Sequence, residues 1–177
     1  MEQCPQVSTV IENLCATVQD YPSPGIVFKD LTPVFADGPA LKLVVDSITA
    51  AFSGEFDAVA GVEARGFLLA AAAAYATGTG VITIRKAGKL PREVYAQSYE
   101  LEYGHATLEL HQEDVPAGTR VLILDDVLAT GGTLSAAAAL LELTGAVVAG
   151  IGVVLEIDTL SGRETLNSHD VVSLLHV

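Results

Sequence analysis

Basic residues are scarce in this chain. Nine Lys and Arg stand against 22 Asp and Glu, a formal net charge of −13 over 177 residues. Such a surface has no general attraction for nucleic acid or an anionic membrane. Cysteine is nearly absent: Cys4 and Cys15 stand alone near the N-terminus. Two thiols are too few for a disulfide framework, and no CxxC pair is present for zinc. Reduced thiols in a cytosolic protein are therefore expected. The opening MEQCPQ has no basic n-region, so no secretory signal is expected. Long uncharged runs are also rare. The one that stands out is the 19 residues between Arg65 and Arg85, close to the roughly 20 that span a bilayer. Its middle is mostly alanine and it contains Gly78-Thr79-Gly80. A buried helix, a turn and a buried strand account for it, and no membrane segment is expected.

Apolar residues, by contrast, make up 50% of the chain. That fills a core, excludes a disordered chain, and at this length points to a single domain. Val7, Val10, Ile11, Leu14, Cys15 and Val18 fall on one face of a helix. Tyr21-Pro-Ser-Pro-Gly25 breaks it. Asp37-Gly38-Pro39 opens a second helix, with Asp37 as N-cap and proline in the first turn. Its apolar stripe is Leu41, Val44, Val45, Ile48 and Phe52. Strands are expected over 57–62, 80–85, 107–110, 120–124, 147–155 and 171–175. Helices are expected over 66–77 and 133–143, the latter closed by Gly145 as a left-handed cap. Alternating strands and helices predict an α/β fold with a mainly parallel sheet. Residues 86–105 carry Gly, Pro, charges and three tyrosines without a sustained period, and read as a long functional loop.

The segment that carries chemistry is VLILDDVLATGGT, residues 121–133. An apolar strand runs into Asp125-Asp126, then a small-residue loop, then a helix. In parallel α/β sheets ligands bind beyond the carboxyl ends of the strands. There, Ala129, Thr130, Gly131, Gly132 and Thr133 offer close amides, two hydroxyls and a helix N-terminus to a phosphate. A P-loop is excluded because GxxxxGK[ST] is absent. The paired carboxylates suit the vicinal hydroxyls of a sugar or a magnesium ion. A paired acid at a strand end also occurs in receiver domains and simple helix caps. Five of the nine basic residues lie within 65–92: Arg65, Arg85, Lys86, Lys89 and Arg92. Against a strongly acidic background, this concentration fits a polyanionic substrate.

VLILDDVLATGGT resembles the phosphoribosyl-pyrophosphate signature of the type I phosphoribosyltransferases, and its details are similar to the branch that acts on adenine. YPSPGIVFKDLTPVF (21–35), GVEARGF (61–67), RKAGKLP (85–91), YELEYG (99–104) and LEIDTLSGR (155–163) resemble further blocks of that family, in the same order. The resemblance implies a type I phosphoribosyltransferase fold: a twisted, mainly parallel sheet flanked by helices, over residues 36–177, with a small N-terminal hood at 1–35. It implies transfer of a phosphoribosyl group from phosphoribosyl pyrophosphate to adenine, giving AMP and pyrophosphate, in purine salvage. Magnesium bound with the pyrophosphate, a homodimer and a cytoplasmic location are expected on the same ground, with no nucleic-acid partner.

The resemblance also implies roles. Asp125 and Asp126 would bind the ribose hydroxyls, and Ala129 to Thr133 the 5′-phosphate. Glu63, Ala64 and Arg65 would form a pyrophosphate loop, in a family where this loop often holds a cis non-proline peptide, with Arg85, Lys86 and Lys89 nearby. Val27 and Lys29 would meet adenine through their backbones, while Phe28 and Leu160 pack on its ring. Glu102 would donate a proton toward N7, beneath a lid that includes Tyr103; burial on closure would raise its pKa. Ala129 stands where 6-oxopurine relatives carry an aspartate base, which disfavours hypoxanthine and guanine. A transferase for another base, xanthine being nearest, and a non-catalytic regulator that senses the same sugar phosphate and binds nucleic acid are the alternatives. The second needs a basic surface, which this chain lacks.

Overall fold

The computed structural model describes residues 6–21, 23–100 and 105–177, the side chain of Glu100 excepted. The chain begins with helix α1 (Val7–Leu14), followed by strands β1 (Ala16–Gln19) and β2 (Val27–Asp30), which pair antiparallel in a sheet of their own. Helices α2 (Thr32–Ala36) and α3 (Gly38–Ala51) come next. Asp37 caps α3, its carboxylate accepting from the Ala40 amide at 2.8 Å, and proline sits in the first turn where its missing N–H costs nothing.

The remaining elements build a second sheet. They are β3 (Ala58–Val62), α4 (Gly66–Thr77), β4 (Gly80–Lys86), β5 (Val94–Glu100), β6 (His105–His111), β7 (Arg120–Leu128), α5 (Gly132–Leu143), β8 (Val147–Glu156), α6 (Gly162–Thr165) and β9 (Val171–His176). Strand order is β5-β6-β4-β3-β7-β8-β9. The pairs β3/β4, β3/β7, β7/β8 and β8/β9 are parallel, and β4/β6 and β5/β6 antiparallel. Both faces are covered, so the central strands are apolar on both sides. Along β7, Val121 and Ile123 join the α5 side with Leu134, Leu140 and Leu141. Leu122 and Leu124 join the side of α3 and α4, with Ile48, Leu69 and Ala70.

From β3 the chain first moves outward to β4, then returns to lay β7 on the other flank of β3. The carboxyl ends of β3 and β7 thus border the point where the winding reverses, the usual crevice for a ligand. Two glycines make that crevice narrow. A Cβ on Gly61 would lie 2.6 Å from the Gly66 carbonyl, and one on Gly66 would lie 2.7 Å from the Leu124 carbonyl. The start of α4 therefore rests directly on the end of β7.

Three expectations change. The apolar face proposed to run on to Val18 ends earlier: Cys15 is extended, and Val18 pairs with Phe28 in β1/β2. Within the span 86–105, read as a loop, residues 94–100 form strand β5, paired with β6 from Val94↔His111 to Glu100↔His105. Tyr95, Gln97 and Tyr99 are half-buried while Ala96 and Ser98 are exposed, a period of two hidden beneath polar side chains. Tyr95 and Tyr99 pack against the core beneath α5. Finally, β7 continues through the paired acids to Leu128.

Candidate functional site

The loop that leaves β7 turns at Gly131, whose φ of +83° is a conformation open mainly to glycine. Helix α5 starts there with no described side chain capping it. Its first amides are left as free donors at the positive end of the helix dipole. Asp125 and residues 127–134 line a cavity of about 80 Å³ at this spot. Ala129, Thr130, Gly131, Gly132 and Thr133 are therefore brought together around one small, donor-lined hollow. Thr133 Oγ1 donates to Tyr99 Oη at 3.2 Å, which ties the β5–β6 hairpin to this loop.

Asp126 is 6% exposed, and Arg65 Nε lies 2.5 Å from its Oδ2. That oxygen has no well-directed hydrogen bond, so the contact is ionic. Asp125 Oδ1 accepts from the Asp126 amide at 2.9 Å. Burial, and then the neighbouring Asp126 charge, push the Asp125 carboxyl well above the usual carboxylate range. Burial also raises Asp126, with Arg65 opposing it. Two adjacent carboxyls held this way favour partners that relieve charge or donate hydrogen bonds, such as hydroxyls or a cation.

The peptide bond between Glu63 and Ala64 is cis. Glu63 collects the basic residues rather than an anion. Its carboxylate accepts from Lys89 Nζ at 2.5 Å and from the Lys86 amide at 3.0 Å, and Arg85 Nε lies 3.4 Å away. The Lys89 bond leads in holding Glu63 down at a pKa of about 2. Arg85 also donates to the Lys89 carbonyl at 3.2 Å. Residues 63–65, 85, 86 and 89, far apart in the chain, thus form one charged rim at the end of β3 and β4. Arg92 is engaged elsewhere, by Asp114 at 2.6 Å and by His111.

A third part faces the rim. Val18, Tyr21, Phe28, Asp30 and Arg65 line an open hollow of about 330 Å³. Tyr21 and Phe28 meet edge to face, with ring centroids 5.2 Å apart. The outer edge of β2 has no strand partner among the described residues, so alternate residues of the strand, which pairs with β1 only, present backbone donors and acceptors there. Lys29 itself turns back to donate to Thr17 Oγ1 at 2.9 Å. Leu160 is 40% exposed on a 3₁₀ turn, Asp158–Leu160. Glu102 and Tyr103 lie outside the described residues.

Sequence reasoning missed the partners that hold these groups. Glu63 and Lys89 are 26 residues apart, and nothing local announces their bond. It also missed a group at the end of β8 and β9, where Glu156, Asp158 and His176 come together. Glu156 there accepts from Arg163 Nε at 3.0 Å and from Ser173, so its oxygens are already engaged. No described helix is long and apolar enough to cross a membrane.

Residues 35–176 match the phosphoribosyl transferase domain family. The adenine phosphoribosyltransferase of Arthrobacter sp. (strain FB24) is 69% identical over 97% of this chain and 92% of its own length. Among solved structures, the adenine phosphoribosyltransferase of Thermoanaerobacter pseudethanolicus superposes with a TM-score of 0.92 at 43% identity, covering 96% of this chain and 99% of its own. That of Saccharomyces cerevisiae, complexed with an imino-altritol bisphosphate and adenine, gives 0.90 at 36% identity, covering 96% and 98%.

Proposed function

The chain belongs to the adenine phosphoribosyltransferases, and from that premise we propose how its residues move a 5-phosphoribosyl group from phosphoribosyl pyrophosphate to adenine, giving AMP and pyrophosphate. The observation that carries the assignment is the cavity of about 80 Å³ lined by Asp125 and residues 127–134, at the uncapped start of α5 and beside the Arg65–Asp126 ion pair. A phosphate fits free amides at a helix start, and a ribose places its hydroxyls on the adjoining acids.

In this reading Ala129, Thr130, Gly131, Gly132 and Thr133 hold the 5′-phosphate, and Asp125 and Asp126 hold the ribose hydroxyls. Arg65, Arg85, Lys86 and Lys89, with the Ala64 backbone, receive the diphosphate. A carboxylate would repel that group, so Glu63 serves by holding Lys89 and Arg85 in position until it arrives. The paired acids supply carboxylate oxygens of the kind a divalent cation takes, although Asp126 Oδ2 already faces Arg65 at 2.5 Å. Magnesium bound with the diphosphate would neutralise charge on the leaving group. As the C1–O bond lengthens, positive charge develops on the ribose and negative charge on the diphosphate, so the basic rim lowers the barrier.

Adenine fits between β2 and the 3₁₀ turn: Val27 and Lys29 read its edge through their backbones, and Phe28 and Leu160 flank the ring. That places its nitrogen against C1, and such positioning is itself a large catalytic effect. Glu102 donates a proton to the purine and Tyr103 covers the site, on the strength of the YELEYG block alone. The Tyr99–Thr133 contact supports a hairpin that reports on the phosphate loop, with the residues at its tip acting as the lid that excludes water.

We also propose a homodimer. Leu68 and Tyr75, two helical turns apart on one face of α4, are 54% and 92% exposed, and Val81 at the start of β4 is 49% exposed. A strip of this kind marks a protein interface. A cytoplasmic location is proposed on the family resemblance alone.

Turnover of adenine, hypoxanthine, guanine and xanthine with phosphoribosyl pyrophosphate and magnesium, with a chelator control, tests the reading. Adenine should be the best substrate by a wide margin and the chelator should abolish turnover. A better rate with any 6-oxopurine would overturn it. Glu102→Gln should lower kcat far more than it raises KM for the sugar phosphate; equal effects would remove Glu102 as the proton donor.

A further inference from the structure

The segments that carry the proposed base wall and the phosphate loop leave the sheet side by side. Strand β7 ends at Leu128 opposite Glu156, the last residue of β8, and the Ile157 amide donates to the Leu128 carbonyl at 2.9 Å. Beyond that point the two chains stay in contact. A Cβ on Gly162 would lie 2.0 Å from the Ala129 carbonyl oxygen and 2.8 Å from Leu128 Cδ1. A Cβ on Gly131 would lie 2.5 Å from the Gly162 carbonyl oxygen and 2.9 Å from Thr165 Cβ. Thr165 Oγ1 donates to the Thr130 carbonyl at 3.0 Å. Two glycines thus face each other across a contact with no room for a methyl group.

The far side of the same segment is anchored. Arg163 donates through Nε and Nη2 to Glu156 at 3.0 and 2.5 Å, through Nη1 to the Val171 carbonyl at 2.8 Å, and through Nη2 to Ser173 at 3.1 Å. Glu156 is 5% exposed, so this anchor is set into the end of the sheet. Bidentate arginine–carboxylate pairs fix direction as well as distance. A segment pinned on one side and pressed on the phosphate loop on the other transmits position from one to the other.

We infer that residues 158–165 are a common backing for the base and phosphate subsites, with Gly162 and Thr165 as positioning residues that set the 5′-phosphate loop. The inference rests on the functional reading above. Neither residue touches substrate. Each acts through the Ala129–Gly131 backbone, and Leu160, two positions before Gly162, moves with it.

Steady-state kinetics on Gly162→Ala, Thr165→Val and Thr165→Ser test this. Gly162→Ala should raise KM for both phosphoribosyl pyrophosphate and adenine at least ten-fold, because the added methyl must displace one segment or the other. Thr165→Val should raise KM for phosphoribosyl pyrophosphate about five-fold, equivalent to about 1 kcal/mol at 1.4 kcal/mol per decade, the size of one ordinary hydrogen bond. It should leave kcat and the adenine KM within two-fold, and Thr165→Ser should restore the wild-type value. Calorimetry with ribose 5-phosphate should show the same five-fold loss for Thr165→Val, independent of the base reaction. Values within 1.5-fold of wild type for Thr165→Val, or equal impairment in the Ser and Val variants, would overturn the inference. So would a folded Gly162→Ala enzyme with unchanged KM values. Should Gly162→Ala fail to fold, the Thr165 pair decides. A wild-type enzyme that does not turn over these substrates refutes the functional reading instead, and the ribose 5-phosphate titration still decides the inference.

Discussion

Arg65→Ala isolates the electrostatics of the site. It removes the guanidinium whose Nε lies 2.5 Å from Asp126 Oδ2, leaving a 6% exposed carboxyl directly after a second acid. Removing one member of a buried ion pair costs about 3–5 kcal/mol. Arg65 is itself 37% exposed and partly screened by solvent, so a smaller loss of about 2–3 kcal/mol near neutral pH is expected. The loss must depend on pH. Burial raises the Asp126 carboxyl and Arg65 opposes it, so without Arg65 the paired acids titrate higher still in the folded protein. In the unfolded chain an aspartate titrates near about 3.9. A carboxyl raised in the folded state is tolerated at low pH as the neutral acid. It destabilises progressively as pH climbs from the unfolded toward the folded value, at about 1.4 kcal/mol per pH unit. The deficit relative to wild type is therefore fully present only where the acids are ionised, and it should be smaller at pH 5 than at pH 7.5. Urea unfolding of wild type, Arg65→Ala and Arg65→Ala/Asp126→Asn at both pH values gives the comparison. The double variant should recover most of the loss at pH 7.5. An identical deficit at both pH values, or no recovery on adding Asp126→Asn, would refute the reasoning.

Other expectations follow from single contacts. A Cβ on Gly150 would lie 2.2 Å from Cε1 of Phe52, a ring 3% exposed. Gly150→Ala should therefore cost about 1–3 kcal/mol by overpacking, seen as a lower Tm with KM values unchanged; an unchanged Tm would mean that the ring has room to move. Tyr75→Glu, on the exposed strip of α4, should shift the light-scattering mass from dimer to monomer. A dimer of unaltered stability in this variant would place the interface elsewhere.

The alternation of strands and helices was legible because buried strands such as 120–124 and 58–62 are short apolar runs between turn residues. The helix at 66–77 was legible to the residue, since Gly66 and Gly78 bracket an uncharged, alanine-rich stretch. Strand β5 was not, because its half-buried positions are Tyr95, Gln97 and Tyr99, and its charged flanks, with Gly88, Pro91 and Gly104, resemble a loop. The end of α1 was misplaced because Val18 continues the helical spacing, while its strand pairing with Phe28 is a tertiary fact. At the site, the hollow at the uncapped start of α5 was legible as small residues, Ala129 to Thr133, after paired acids. The holding partners did not. The Glu63–Lys89 bond, the Arg65–Asp126 pair and the Gly162–Ala129 contact join residues brought together only by the sheet. The residues themselves lie in the motif blocks; only their pairing has no local signature.

A crystal structure of the enzyme with AMP tests the central claim most directly. The account predicts the 5′-phosphate in the hollow lined by Ala129 to Thr133, the ribose hydroxyls on Asp125 and Asp126, and the adenine ring between Phe28 and Leu160. AMP ordered at another surface, with residues 129–133 making no phosphate contact, would contradict it.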